Sequence, residues 1–338
     1  MMKQLISTFF TTTMLYGLVH MSIFSNLIET GDNRELTKKK EVLHWSNDSN
    51  YDDKSQKALI ISTAPRTIKH VVALWSELEC FTTDVDYVII SGPLWSEPIL
   101  QQIVHLAKDS IPAFATTQLL SQVFVNDRYD VGLWCDALEW MNQSGDLANM
   151  HQIGLLNDSV FALREYSAIL SALEIHNASM SSLSYSFNRP EGAGPEMFWV
   201  ESIWRGFDRP GLQSFMDYSC RPATDPMFCS NRWWGKKGCI VENFERNLVR
   251  QYPRDSVVGM FSSDVPKEML TRKHNFPNWV RHPLYWQKLV DEEGFPVSKV
   301  NWPDMIESID DERLKQCSKY LDRSTLDGID FSVAVKAI

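Results

Sequence analysis

Several stretches of this chain put carboxylates where they could do chemistry. Asn157-Asp158-Ser159 sets a carboxylate between an amide and a hydroxyl, directly after the predicted strand His151 to Leu156. One carboxylate of this kind, completed by water and phosphate oxygens, can hold a hard divalent cation across a diphosphate. The same triplet is also a set of good helix caps, and spacing alone leaves both readings open. Asn126-Asp127-Arg128-Tyr129-Asp130-Val131-Gly132-Leu133-Trp134 opens a helix-like stretch. There Asp130 would favour the helix dipole and Gly132 would admit a close neighbour. Such a segment can wall a sugar-nucleotide pocket or simply cap and pack a helix. Asp84-Val85-Asp86 has the DxD form of a metal-holding pair, but it precedes a strand and reads as a solvated turn.

Phe198 to Phe207 (FWVESIWRGF) surrounds Glu201 and Arg205 with aromatic rings. A tryptophan face suits a sugar ring, and a carboxylate beside it could take a proton from an acceptor hydroxyl. The competing reading is a buried Glu201–Arg205 pair at i, i+4. Arg232, Lys236 and Lys237, followed by Glu242 and Glu245, form a later polar cluster whose cations could face a diphosphate or only solvent. Glu201, then Glu245, are the expected general bases. No nucleophile elbow, HExxH, P-loop or GxGxxG is present, so hydrolase, protease, kinase and dehydrogenase readings lack support. Ser62-Thr63-Ala64-Pro65 lacks the glycines a methyltransferase loop would need.

These residues need a scaffold, and the hydrophobic pattern supplies one. Apolar runs at Ala58–Ser62 and Tyr87–Ser91, one within Ala113–Val125, and one at Ile153–Leu156 predict strands. Amphipathic stretches at Thr67–Leu78, Pro98–Lys108 and Asp130–Met141 predict helices between them. This alternation predicts an α/β fold with a mostly parallel sheet flanked by helices, whose ligands bind beyond the carboxyl ends of the strands. That rule places Asp158 in the crevice and Asp84-Val85-Asp86 outside it.

The chain has 338 residues and a formal charge of −10, which argues against nucleic acid as a partner. Its 44% hydrophobic and 22% charged residues are those of a globular protein. Leu5 to Ile28 carries no charged side chain and is long enough to span a bilayer as a helix. Residues 1–28 are expected to be a signal-anchor or signal peptide, 29–56 a polar stem, 57–310 the folded domain and 311–338 a tail. Asn47, Asn142 and Asn177 open glycosylation sequons, as Asn157 does formally. The cysteines at 220, 229 and 239 can be read as a disulfide cluster or as free thiols, and no CxxC points to zinc.

Taken together, the segments resemble the rhamnan-synthesis-F-like family of polysaccharide glycosyltransferases. The family reads roughly N-x-G-[YF]-D-x-G-x-W, a strand ending in N-D-S, then H-x-Q-S and F-P-x-x-K. Here Asn126 to Trp134, Asn157-Asp158-Ser159, Trp199-Val200-Glu201-Ser202 and Phe295-Pro296-Val297-Ser298-Lys299 follow in that order. Arg128 stands where glycine is usual, and Trp199 and Glu201 replace histidine and glutamine. The resemblance implies a GT-A fold with an acceptor-side C-terminal extension, a nucleotide-sugar donor and a glycan acceptor. It implies Asp158 as the metal carboxylate for manganese or magnesium, with Asn126, Tyr129, Asp130, Gly132, Asn157 and Ser159 around the donor. A Golgi or ER membrane enzyme with a luminal catalytic body fits the anchor and stem. The alternative is a membrane-anchored, non-catalytic glycan-binding scaffold on a degenerate transferase fold.

Overall fold

The computed structural model describes residues 56–125, 129–187, 198–220, 236–302 and 304–332. All of them belong to one compact unit, 45–338. The expected anchor and most of the stem, including Asn47, lie outside the described residues.

The first half follows the predicted alternation. Strands β1 (Gln56–Ser62), β2 (Tyr87–Pro93), β3 (Gln118–Phe124) and β4 (Met150–Asn157) alternate with helices α1 (Ile68–Cys80), α2 (Glu97–Ser110) and α3 (Tyr129–Ser144). Ala58 to Ile61 of β1 are inaccessible to solvent, because helices cover both faces of the sheet and leave no polar side to the strand. Pro98 sits in the first turn of α2, where a missing N–H costs nothing. That helix buries Ile99, Leu100, Ile103 and Ala107 on one stripe, as its period requires.

The second half is less regular. It contains β5 (Val160–Ala162), α4 (Ala168–His176), β6 (Met180–Ser186), β7 (Trp199–Val200), β8 (Trp204–Asp208) and α5 (Arg209–Ser219). There follow α6 (Lys236–Ile240), a π-helical turn (Val241–Arg246), β9 (Val257–Ser262), α7 (Pro283–Glu292) and β10 (Val297–Lys299). Asp208 caps α5, its Oδ1 accepting from the Gly211 amide at 2.7 Å.

Eight strands make one sheet in the order β3-β2-β1-β4-β8-β6-β7, with β9 paired to β6. The pairs β3-β2, β2-β1, β1-β4 and β6-β9 are parallel, while β8 and β7 run against their neighbours. Six strands therefore point the same way, giving the mostly parallel α/β sheet expected. Because β8 reverses between β4 and β6, the carboxyl ends of β1, β4, β6 and β9 all reach one edge. At the β4–β8 seam Gly154 faces Gly206, and a Cβ on Gly154 would come 2.8 Å from the Leu59 side chain.

Two corrections concern the chain's end and its cysteines. Residues 311–332 are not a free tail: Leu314 and Cys317 are fully buried, and Leu326 and Ile329 nearly so. Glu79 of α1 accepts from the amides of Lys319 and Tyr320, both at 3.0 Å. A disulfide joins Cys80 to Cys317, and a second joins Cys135 of α3 to Cys220 after α5. Cys239 is also disulfide-bonded, and no described cysteine is a free thiol.

Candidate functional site

A cavity of about 370 Å³ opens at the carboxyl edge between the β1 loop, the start of α3 and the α6 region. Its volume is that of a small-ligand site. Asp158 lies on one wall, with Ala64, Arg66 and His70 beside it and Tyr129 and Asp130 across. Trp134 closes the bottom, anchored by its indole N–H to the Leu156 carbonyl at 2.9 Å.

Asp158 is fixed by the loop that follows β1. Its amide donates to Ser62 O at 3.1 Å, and its Oδ2 accepts from Thr63 Oγ1 at 2.6 Å and from the Ala64 amide at 3.0 Å. Oδ1 has no protein partner among the described residues. Burial holds the carboxyl above its usual pKa, while the Thr63 hydrogen bond, the His70 charge, the Ala64 amide and Lys299 pull it down. The flanking residues brace it. Asn157 donates from Nδ2 to Ser202 O at 3.3 Å, and its Oδ1 accepts from the amide and hydroxyl of Ser159. Lys299 donates to Ser159 Oγ at 2.8 Å, across 140 residues of chain. That contact exists because β10 pairs antiparallel with β5, setting Lys299 opposite Val160. The N-D-S and F-P-x-x-K segments thus meet in space.

The predicted donor segment is partly on the wall. Tyr129 and Asp130 line the cavity, whereas Gly132 is buried within α3 and Asn126 lies outside the described residues. Tyr129 holds φ at +56°, a left-handed conformation that side chains with a Cβ seldom adopt.

Glu201 is placed differently from expectation. It is buried and does not line the cavity, although its neighbour Ser202 does. Its carboxylate accepts from Ser184 Oγ at 2.5 Å, Asn278 Nδ2 at 2.8 Å and Trp279 Nε1 at 2.9 Å. A carboxylate so occupied is a poor proton acceptor, so the base role does not fit this geometry. The expected Glu201–Arg205 pairing is also redrawn. Glu201 precedes β8, and Arg205 lies within it rather than on a helix. The Arg205 guanidinium donates to the carbonyls of Val200, Glu201 and Phe244. The side chain of Glu245, like those of Lys236, Lys237 and Glu242, lies outside the described residues, as does all of Arg232.

Asp84 and Asp86 sit at the opposite, amino edge, as expected. Asp84 pairs with Lys57 Nζ at 3.1 Å, and Asp86 accepts from the Lys57 amide at 2.9 Å. Three residues escaped the sequence reading. Arg66 and His70 had no motif around them. Glu77 was hidden inside an apolar helix, and a charged residue in so buried a segment was its only signal. Glu77 is fully buried with neither carboxyl oxygen hydrogen-bonded. Burial, then the neighbouring Asp158 charge, hold its pKa well above the usual range, against the pull of Lys299.

As a cation site, the described residues hold no cluster of three or more His, Cys, Asp or Glu. They fit a site of one protein carboxylate whose remaining ligands come from substrate and water, the mode common for magnesium with phosphates.

No family model matches the chain, nor does any curated protein. Among solved structures, a 4-diphosphocytidyl-2C-methyl-D-erythritol synthase from Anaerococcus prevotii is similar at 9% identity and a TM-score of 0.39, covering 62% of this chain and 89% of that one. A nucleoside-diphosphate-sugar pyrophosphorylase from Vibrio cholerae is similar at 11% identity and a TM-score of 0.33, covering 49% of this chain and 80% of that one. At such scores neither likeness assigns an activity.

Proposed function

We propose that the chain is a GT-A-like glycosyltransferase that moves a sugar from a nucleoside-diphosphate sugar to a hydroxyl of a glycan. The observation that carries this reading is Asp158, a carboxylate at the end of a central strand, with one oxygen tied to the β1 loop and the cavity beside it. The family resemblance of residues 57–300 supports the same assignment.

In this reading the diphosphate lies between Asp158 and Arg66. Arg66 supplies positive charge toward the leaving group, with His70 beside it as a hydrogen-bonding group, and Asp130 offers an acceptor for a base or ribose hydrogen. The exposed ring of Tyr129 offers a stacking face. Asp158 Oδ1 would hold manganese or magnesium, which when bound neutralises charge developing on the diphosphate. Thr63 and Ala64 keep that carboxylate oriented, and Trp134 keeps water from beneath it. The described disulfides support an oxidising compartment, consistent with a luminal body anchored by Leu5–Ile28.

The test is titration of the full chain with UDP and GDP in the presence of manganese, read by thermal shift, alongside donor hydrolysis. Wild type is expected to be stabilised by one nucleotide. Asp158→Ala is expected to lose both that shift and hydrolysis, while keeping its own melting transition. Donor turnover retained in Asp158→Ala overturns the cation role.

One observation favours the scaffold alternative: Glu201, the carboxylate expected to activate the acceptor, is committed to three donors. Binding of glycan without any nucleotide binding would select that reading.

A further inference from the structure

We propose that Arg281, in cation–π contact with the rings of Phe276 and Trp302, is a subsite for the acidic group of an anionic acceptor saccharide. The word acceptor rests on the transferase reading; the anion subsite does not.

The Arg281 Cζ lies 4.8 Å from each ring centroid, within cation–π range of both. Arg281 is exposed, and Phe276 is 40% exposed. Five other arginines, Arg164, Arg205, Arg209, Arg313 and Arg323, donate to main-chain carbonyls. Arg254 lies 5.7 and 5.5 Å from the Phe187 and Phe198 centroids, farther than Arg281 from its rings. The Arg281 guanidinium makes no hydrogen bond or ion pair among the described residues.

Its position is at the ligand edge of the sheet. The 3-10 turn Trp279–Arg281 is tied there by the Trp279 amide, which donates to Ser263 O just beyond β9 at 3.1 Å. Trp302 follows Val300, whose amide donates to Ser159 O at 3.0 Å, one residue from Asp158. The chain that carries Trp302 is therefore tied to the Asp158–Ser159 turn two residues before that ring. Ring contact of this kind leaves the N–H donors in the guanidinium plane, the edge that pairs bidentately with a carboxylate or sulfate. The contact has also already restricted a side chain that would otherwise lose rotamer freedom on binding.

The experiment follows Trp emission of the full chain during titration with a glucuronate-containing oligosaccharide, a sulfated one and a neutral one of the same length. An acidic saccharide is expected to change the emission, and Trp302→Phe to remove that change. Arg281→Gln is expected to weaken acidic binding about tenfold, the size of a lost charged hydrogen bond, with an unaltered melting temperature. Response to only one acidic saccharide names the group and supports the subsite. Equal binding of the neutral saccharide, or unaltered acidic binding by Arg281→Gln, overturns it. Nucleotide titration keeps the two ideas separate: acidic binding without any nucleotide binding defeats the transferase and leaves the subsite standing.

Discussion

At the scale of single residues, the site depends on the charge state of two buried carboxyls. Binding that needs ionised Asp158 should fail as pH falls through a pKa raised above the usual Asp value. Thr63→Ala removes the hydrogen bond that most lowers this pKa, so the acid limb of manganese-dependent nucleotide binding should move to higher pH. A limb that stays put or moves to lower pH contradicts this. Glu77 acts on stability instead. Its folded pKa is raised, so the folded state holds a proton that the unfolded chain releases, and stability drops with rising pH above the ordinary Glu range. Glu77→Gln cannot ionise. Urea denaturation should show it gaining on wild type from pH 5 to pH 8 and converging with it in acid. Asp158 was legible in the sequence because a carboxylate directly after an apolar strand must emerge at the ligand edge. Glu77 was not, because helix period shows only which positions face a core, and α1 is buried on every side beyond Val71.

At the scale of elements, the two disulfides predict different losses. Cys80–Cys317 closes a separation of 237 residues far from the cavity wall, whereas Cys135–Cys220 holds the helix that carries Asp130 and Trp134. Replacing Cys80 and Cys317 by Ser should cost roughly 2–5 kcal/mol of stability, measured by denaturant unfolding, with nucleotide affinity retained. The corresponding Cys135 and Cys220 variant should lose nucleotide affinity as well. The parallel half of the sheet could be read in advance because its strands are continuous apolar runs covered on both faces. The other half could not. Strand β6 (MSSLSYS) buries Ser181, Ser182, Ser184 and Ser186, and each hydroxyl finds a partner. A strand that satisfies itself by hydrogen bonds carries no hydrophobic signal. For the same reason Glu201 looked available: its three donors come from Ser184 and from Asn278 and Trp279, which lie far along the chain.

At the scale of the whole molecule, the C-terminal segment closes the fold rather than trailing from it. Deleting residues 311–338 should expose the end of α1, strip Glu79 of its Lys319 and Tyr320 donors and abolish the Cys80–Cys317 bond. A marked drop in melting temperature and rapid protease cleavage of the body are expected; an unaltered melting curve would show that the segment is dispensable. The expected boundary near 310 failed because the segment is polar and short of regular structure, and only its contacts reveal that it belongs to the core. The Asp158 clasp carries one last implication. A side chain that spends half its acceptor capacity keeping a neighbouring loop in place has only a single lobe left to share. An ion demanding both lobes would have to unlatch Thr63 and Ala64 first, so bare metal should adhere poorly, and productive capture should favour an ion that arrives already chelated by its phosphates.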